Sequence, residues 1–121
     1  MIKMLVVDDE LDVCDFVKNF FEERNYIVFT ALNGEDALRI TKTQKPNIIL
    51  LDIRMKKMDG IETLRKIREI DKNVDVIMVT AVEDKDRMAA AYKLGAKDYI
   101  VKPLVLEELE HTVYERSKGL P

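Results

Sequence analysis

The chain has 121 residues, of which 47% are hydrophobic and 36% charged, a composition that fits one compact domain with an ordinary core. Its 23 acidic and 20 basic residues leave a net charge of -3, so it has no basic footprint for direct nucleic-acid binding. The single cysteine excludes an intramolecular disulfide, and no long apolar stretch or signal-like amino terminus appears; the expectation is a soluble cytoplasmic protein with no membrane partner.

Periodicity alternates between strand and helix along the chain. Lys3 to Asp8 reads as a strand. Leu11 to Arg24 carries Val13, Phe16, Val17, Phe20 and Phe21 at helical spacing, and Tyr26 to Ala31 is a second strand. Asn33 can cap a helix whose Ala37, Leu38 and Ile40 face inward, and Pro46 punctuates before a strand from Asn47 to Asp52. Gly60 opens a helix marked by Ile61, Leu64 and Ile67. Val74 to Val79 is the fourth strand, and Asp84 to Leu94 is a helix that Gly95 can end in a left-handed conformation. Asp98 to Val101 is the last strand, and after Pro103 the residues Leu106, Leu109 and Val113 form the stripe of a closing helix. The domain is expected to span 1–117, with 118–121 a tail or the start of a linker; Ser117 to Pro121 shows no clear pattern of order.

Five strands alternating with five helices over short connections require an α/β fold, a doubly wound five-stranded parallel sheet with helices on both faces. Ligands in such a fold sit beyond the carboxyl ends of the strands, where the strand order reverses. Asp8, Asp9, Asp52, Thr80 and Lys102 all fall at or just after such ends. Three acids in one small pocket repel one another, so the cluster needs a divalent cation among its oxygens or one protonated carboxylate. A hard cation such as Mg2+, or Mn2+ in its place, suits an all-oxygen site and keeps positions open for water and a phosphate. The pattern therefore points to phosphate chemistry.

The segments Val7-Asp8-Asp9-Glu10, Leu51-Asp52-Ile53-Arg54-Met55, Asp59-Gly60, Val79-Thr80-Ala81, Gly95-Ala96-Lys97-Asp98-Tyr99 and Lys102-Pro103 carry a closer likeness. From Lys3 to Arg116 the chain resembles a receiver domain of two-component response regulators, and Asn33 to Leu38 shares that look. The resemblance implies a flavodoxin-like (βα)5 fold with strand order 2-1-3-4-5. It implies that Asp52 takes a phosphoryl group from a phosphohistidine on a sensor histidine kinase or phosphotransfer protein, giving an acyl phosphate. It assigns Asp9, Asp8, Asp52 and the backbone carbonyl of Arg54 to the cation, Asp8 directly or through water. Lys102, the Thr80 hydroxyl and the Ala81 amide are implied as partners of the phosphoryl oxygens. The physics agrees: a carboxylate is a poor nucleophile toward a dianionic phosphoryl group, so charge must be offset and the groups held in line.

The resemblance further implies a switch in which the Thr80 hydroxyl moves toward the new phosphoryl group and the aromatic of Tyr99 turns into the vacated space. An acyl phosphate replaces one carboxylate charge with about two. The implied output surface runs over the last two helices and the strand between them, roughly Asp84 to Arg116, and meets an output domain or a downstream protein. A phosphorylation-dependent homodimer stays open as a further partner. The runner-up reading is a pseudo-receiver that binds partners without phosphorylation, which the complete acid, hydroxyl and lysine set disfavours. A flavodoxin-type cofactor site is disfavoured because Asp8-Asp9-Glu10 would repel the flavin phosphate, and a haloacid-dehalogenase-type phosphohydrolase because its second aspartate would fall at Arg54.

Two departures from the family pattern stand out. Lys56 occupies a position where receivers often carry proline, and with Arg54 and Lys57 it makes a basic loop, expected to offset the acid pocket or, with Val82, to govern hydrolytic water. Family precedent makes Lys102-Pro103 a cis candidate. His111 reads as an exposed helix residue, Cys14 as packing at the border of the first helix, and the six methionines as core or loop filler.

Overall fold

The computed structural model describes residues 1–120, with the side chains of Val82 and Lys85 left aside. Short apolar runs form the strands β1 (Lys3–Val7), β2 (Ile27–Ala31), β3 (Ile48–Asp52), β4 (Asp75–Thr80) and β5 (Asp98–Val101). They pair in parallel in the order β2-β1-β3-β4-β5. Between them lie α1 (Leu11–Glu22), α2 (Gly34–Gln44), α3 (Gly60–Ile70), α4 (Lys85–Lys93) and α5 (Leu106–Ser117), with a 3-10 turn at Val82–Asp84 ahead of α4. This is the doubly wound α/β fold that the periodicity requires. Among the described residues no helix is long and apolar enough to cross a membrane.

Alternation along each strand divides the core between the two faces of the sheet. Leu5, Val7, Ile49, Leu51, Val76 and Met78 pack with α2, α3 and α4, while Met4, Val6, Ile48, Leu50, Ile77 and Ile100 pack with α1 and α5. Burying both faces is why the central strands read as unbroken apolar runs. Each fully buried Leu, Ile or Phe contributes about 1.5–3 kcal/mol.

The parallel register then sets up the carboxyl edge. Val7 pairs with Leu51, Asp52 with Val79, and Thr80 with Val101. Asp8 and Asp52 therefore fall at one level of that end of the sheet, Thr80 one residue further on and Lys102 one beyond it. Gly60 holds the loop after β3 against that edge, its amide donating to the Ile53 carbonyl at 2.7 Å. A Cβ at Gly60 would lie 2.2 Å from the Asp52 carbonyl oxygen and 2.7 Å from the Ile53 Cα, so only glycine fits.

Several expectations shift. Asp8 lies just past β1, and α1 ends at Glu22 because the chain turns back through Asn25 at φ 69°. β2 and β3 each begin a residue later than expected, at Ile27 and Ile48; β4 runs from Asp75 to Thr80, and α4 is a residue shorter at each end. Phe16, placed on the inward stripe, is 54% exposed, whereas Cys14 is fully buried rather than at a border. Ser117 is ordered: it ends α5, donates to the Val113 carbonyl at 2.7 Å and meets the Tyr26 hydroxyl at 3.1 Å. Leu120 packs on the α1–α5 side of the core, and Pro121 lies outside the described residues. Gly95 does follow α4 at φ 85°, and its carbonyl is taken by Arg68. That guanidinium also binds the carbonyls of Leu94 and Val74, tying α3 to the end of α4 and the start of β4.

Candidate functional site

Asp8 and Asp52 are almost fully buried, 3% and 4% exposed, at the carboxyl ends of β1 and β3. The Lys102 ammonium, just past β5, sits between them, donating to Asp52 Oδ2 at 3.0 Å and Asp8 Oδ2 at 3.4 Å. Its backbone is pinned by donation from the Lys102 amide to the Thr80 carbonyl at 2.8 Å, and the Lys102–Pro103 peptide is cis. Asp8 is fixed on its other side, accepting from the Glu10 amide at 2.9 Å through Oδ1 and from the Cys14 thiol at 3.4 Å through its carbonyl.

The carboxylates of Asp8, Asp9 and Glu10 gather so that one oxygen of each lies within 4.8 Å of the others. Glu10 is a member that strand-end reasoning missed, because it stands at the start of α1 and not on a strand; the run of three acids was its signal. Asp52 joins this group through the shared ammonium. Two carboxylates share one ammonium and two more acids stand beside Asp8, which leaves the pocket negative, and every donor is a hard oxygen. The donor set suits a small hard divalent cation and offers nothing to a soft metal.

Electrostatics follow from burial. Loss of hydration pushes the Asp52 carboxyl up to about 6, opposed by the hydrogen bond and charge of Lys102, reinforced by Asp8, and opposed again by the Arg54 backbone amide. Burial works against the Lys102 charge, but Asp52 and Asp8 outweigh it and hold its proton above the ordinary value. The Cys14 thiol is pushed up to about 11, chiefly by burial and then by Asp8, so it is a closed packing group.

Thr80 is fully buried, and its hydroxyl donates to the Ala81 carbonyl at 3.0 Å. Tyr99 is 40% exposed and packs edge-on against Tyr92, ring centroids 6.3 Å apart. Thr80 ends β4 beside Val101 at the carboxyl edge, whereas Tyr99 sits two residues earlier on β5, level with Met78, its ring half-exposed.

The basic loop after β3 opens on a cavity of about 590 Å³ lined by Asp9, Arg54, Lys56, Lys57, Asp84 and Arg87, among others. Lys56 and Lys57 are exposed there. Arg54 is committed elsewhere: its Nε and Nη2 donate to Asp84 Oδ2 and Oδ1 at 2.7 and 3.0 Å. Arg87 on α4 pairs with Asp59 at the start of α3. Neither bridge was legible in the sequence, since partners 30 and 28 positions apart leave no periodic trace. The Val82 side chain, named with Arg54 as a governor of water, lies outside the described residues. His111 is exposed on α5 as expected.

Known proteins resemble this chain in sequence and in fold. Residues 4–114 match the family described as "Response regulator receiver domain". The chain is 35% identical to sporulation initiation phosphotransferase F of Bacillus subtilis, covering 98% of this chain and 94% of that protein. It is 40% identical to the chemotaxis protein CheY of Listeria monocytogenes, covering 91% and 97%. Against the alkaline phosphatase synthesis transcriptional regulatory protein PhoP of Bacillus subtilis it is 36% identical but spans only 46% of that longer protein. Among solved structures, a two-component response regulator from Clostridium difficile superposes with a TM-score of 0.92 at 28% identity, covering 99% of this chain and 98% of that one. The receiver domain of the Francisella response regulator 1452 gives 0.89 at 30% identity over the whole of both chains.

Proposed function

The chain belongs to the response regulator receiver family, and from that premise we propose that it carries a phosphorelay signal by holding a phosphoryl group on Asp52. The observation that carries this reading is the Lys102 ammonium shared between two buried carboxylates, beside an all-oxygen acid cluster.

Asp52 attacks phosphorus through a carboxylate oxygen, and the donor imidazole of a sensor histidine kinase or phosphotransfer protein departs with the electron pair of the broken P–N bond. With its carboxyl near 6, Asp52 is mostly ionised at neutral pH and available for attack. Asp8, Asp9, Asp52 and the Arg54 carbonyl would hold Mg2+, or Mn2+, with Glu10 close by. A bound divalent cation supplies positive charge that offsets the repulsion between the incoming phosphoryl group and the acids. Lys102 holds Asp52 in place before transfer and follows the charge onto a phosphoryl oxygen as it develops. The Ala81 amide and the Thr80 hydroxyl donate to the remaining oxygens; Thr80 must first leave the Ala81 carbonyl. Turning that hydroxyl toward the phosphoryl group opens room for the half-exposed Tyr99 ring. The surface of α4, β5 and α5 then differs between the two states and is the face offered to an output domain or a separate partner. This reading places the protein in the cytoplasm, where such kinases present their phosphohistidines, and residues 1–117 as the working domain.

Phosphorus NMR with a small-molecule phosphodonor tests the reading. An acyl-phosphate resonance should appear with Mg2+, vanish with a chelator, and be absent from Asp52→Asn. No resonance from the parent under any of these conditions would favour a pseudo-receiver that binds partners without phosphorylation.

A further inference from the structure

Three helices of this fold begin at an Asn or Asp, and two of those residues behave alike. Asn33 accepts from the Asp36 amide at 2.8 Å, and Asp59 accepts from the Glu62 amide at 2.9 Å. Both hold the extended backbone typical of a capping residue, at φ -159°, ψ 169° and φ -75°, ψ 173°. Asp84 stands at the same position ahead of α4 and does not cap: its backbone sits at φ -97°, ψ 13°, and its side chain makes no bond to the helix. Its carboxylate is only 6% exposed and is gripped on both oxygens by Arg54.

Arg54 joins the acid pocket to α4. It stands two residues past Asp52, and its guanidinium, 60% exposed at the rim of the acid cavity, holds Asp84 on both oxygens. A guanidinium fork matches a phosphoryl group as well as it matches a carboxylate. Among the described residues no other cation pairs with Asp84.

We propose that the Arg54–Asp84 pair is a latch: it holds the amino end of α4 uncapped in the unmodified protein, and a phosphoryl group on Asp52 draws Arg54 away, freeing Asp84 to cap α4. Arg54 is then a positioning residue acting on α4 through Asp84. A buried carboxylate that loses this cation must find donors, and the backbone amides of the first turn of α4, the kind that Asn33 and Asp59 bind in α2 and α3, are of the right kind. The second half of the inference rests on Asp52 being the phosphoacceptor; the first half does not.

Amide hydrogen exchange on the full chain tests both halves, read at the third residue of α4, Arg87, whose counterparts in α2 and α3 receive the cap. In the unmodified protein, Arg54→Gln and Asp84→Asn should slow Arg87 exchange about fivefold, since asparagine caps but holds arginine poorly, while Asp84→Ala should not slow it. In the phosphorylated parent the same slowing should appear, and Asp84→Ala should abolish it. Unslowed exchange in both Arg54→Gln and Asp84→Asn overturns the latch. A phosphoryl resonance without slowing in the parent overturns the competition while leaving the phosphoacceptor reading intact. If no resonance forms, the phosphoacceptor reading fails, and the unmodified variants still decide the latch.

Discussion

The two sides of the carboxyl edge are built differently. On the β1–β3 side the chemistry is set in packed backbone: Asp8 and Asp52 are buried, Cys14 closes the space beneath Asp8, and Gly60 lies against the Asp52 carbonyl with no room for a methyl group. On the β4–α4 side the parts are joined by separable polar contacts: Arg54 with Asp84, Arg87 with Asp59, a threonine hydroxyl on its neighbour's carbonyl, and an exposed pair of tyrosines. Close packing resists small displacement, whereas polar contacts can exchange partners where a second set of donors stands ready. The difference teaches where a group must stay fixed and where one is free to respond.

The largest expected effect breaks the packed side. Gly60→Ala should destabilise the fold by about 3 kcal/mol or more in urea unfolding, because the new Cβ meets backbone that cannot yield. It should also slow phosphoryl acceptance by displacing the Asp52 carbonyl.

Next in size is the charge buried there. Asp52 ionises near its ordinary value in the unfolded chain but only near 6 in the fold, so folding takes up a proton between pH 4 and 6 and its carboxylate disfavours the fold above that window. Asp52→Asn should therefore be more stable than the parent by about 2 kcal/mol at pH 8 in the presence of a chelator, an advantage that shrinks as pH falls through 6 and is gone below 4. Paired thermal melts across that range check it. Added Mg2+ should raise the melting temperature of the parent at pH 8 and raise that of Asp8→Asn less.

Smaller effects sharpen the contrast on the other side. Asp59→Ala removes the α3 cap and the partner of Arg87 and should cost about 1 kcal/mol. Arg54→Gln should leave the unfolding midpoint almost unmoved while altering exchange at the start of α4. A large loss of stability from Arg54→Gln would erase the distinction between the two sides.

Legibility followed the same division. The apolar runs Met4–Val7 and Ile48–Leu51 announced buried parallel strands, and the acids ending them announced the site, because burial on both faces writes itself into consecutive residues. The Asn33 cap was readable for the same local reason. What escaped depended on partners distant in sequence: Arg54 with Asp84, Arg87 with Asp59, and Arg68 gathering the carbonyls of Val74, Leu94 and Gly95. The basic loop was visible as charge, but not that Arg54 spends its charge on Asp84. Phe16 and Cys14 exchanged their expected burial because helical spacing fixes a stripe and not its rotation on the sheet.

Locating the phosphoryl group residue by residue tests the central claim most directly. After reaction with a small phosphodonor and Mg2+, borohydride reduction converts an acyl phosphate to an alcohol that peptide mass mapping can place. The account predicts one modified position, Asp52, in the parent and none in Asp52→Asn; modification at Asp8 or Asp9, or full modification surviving in Asp52→Asn, would contradict it.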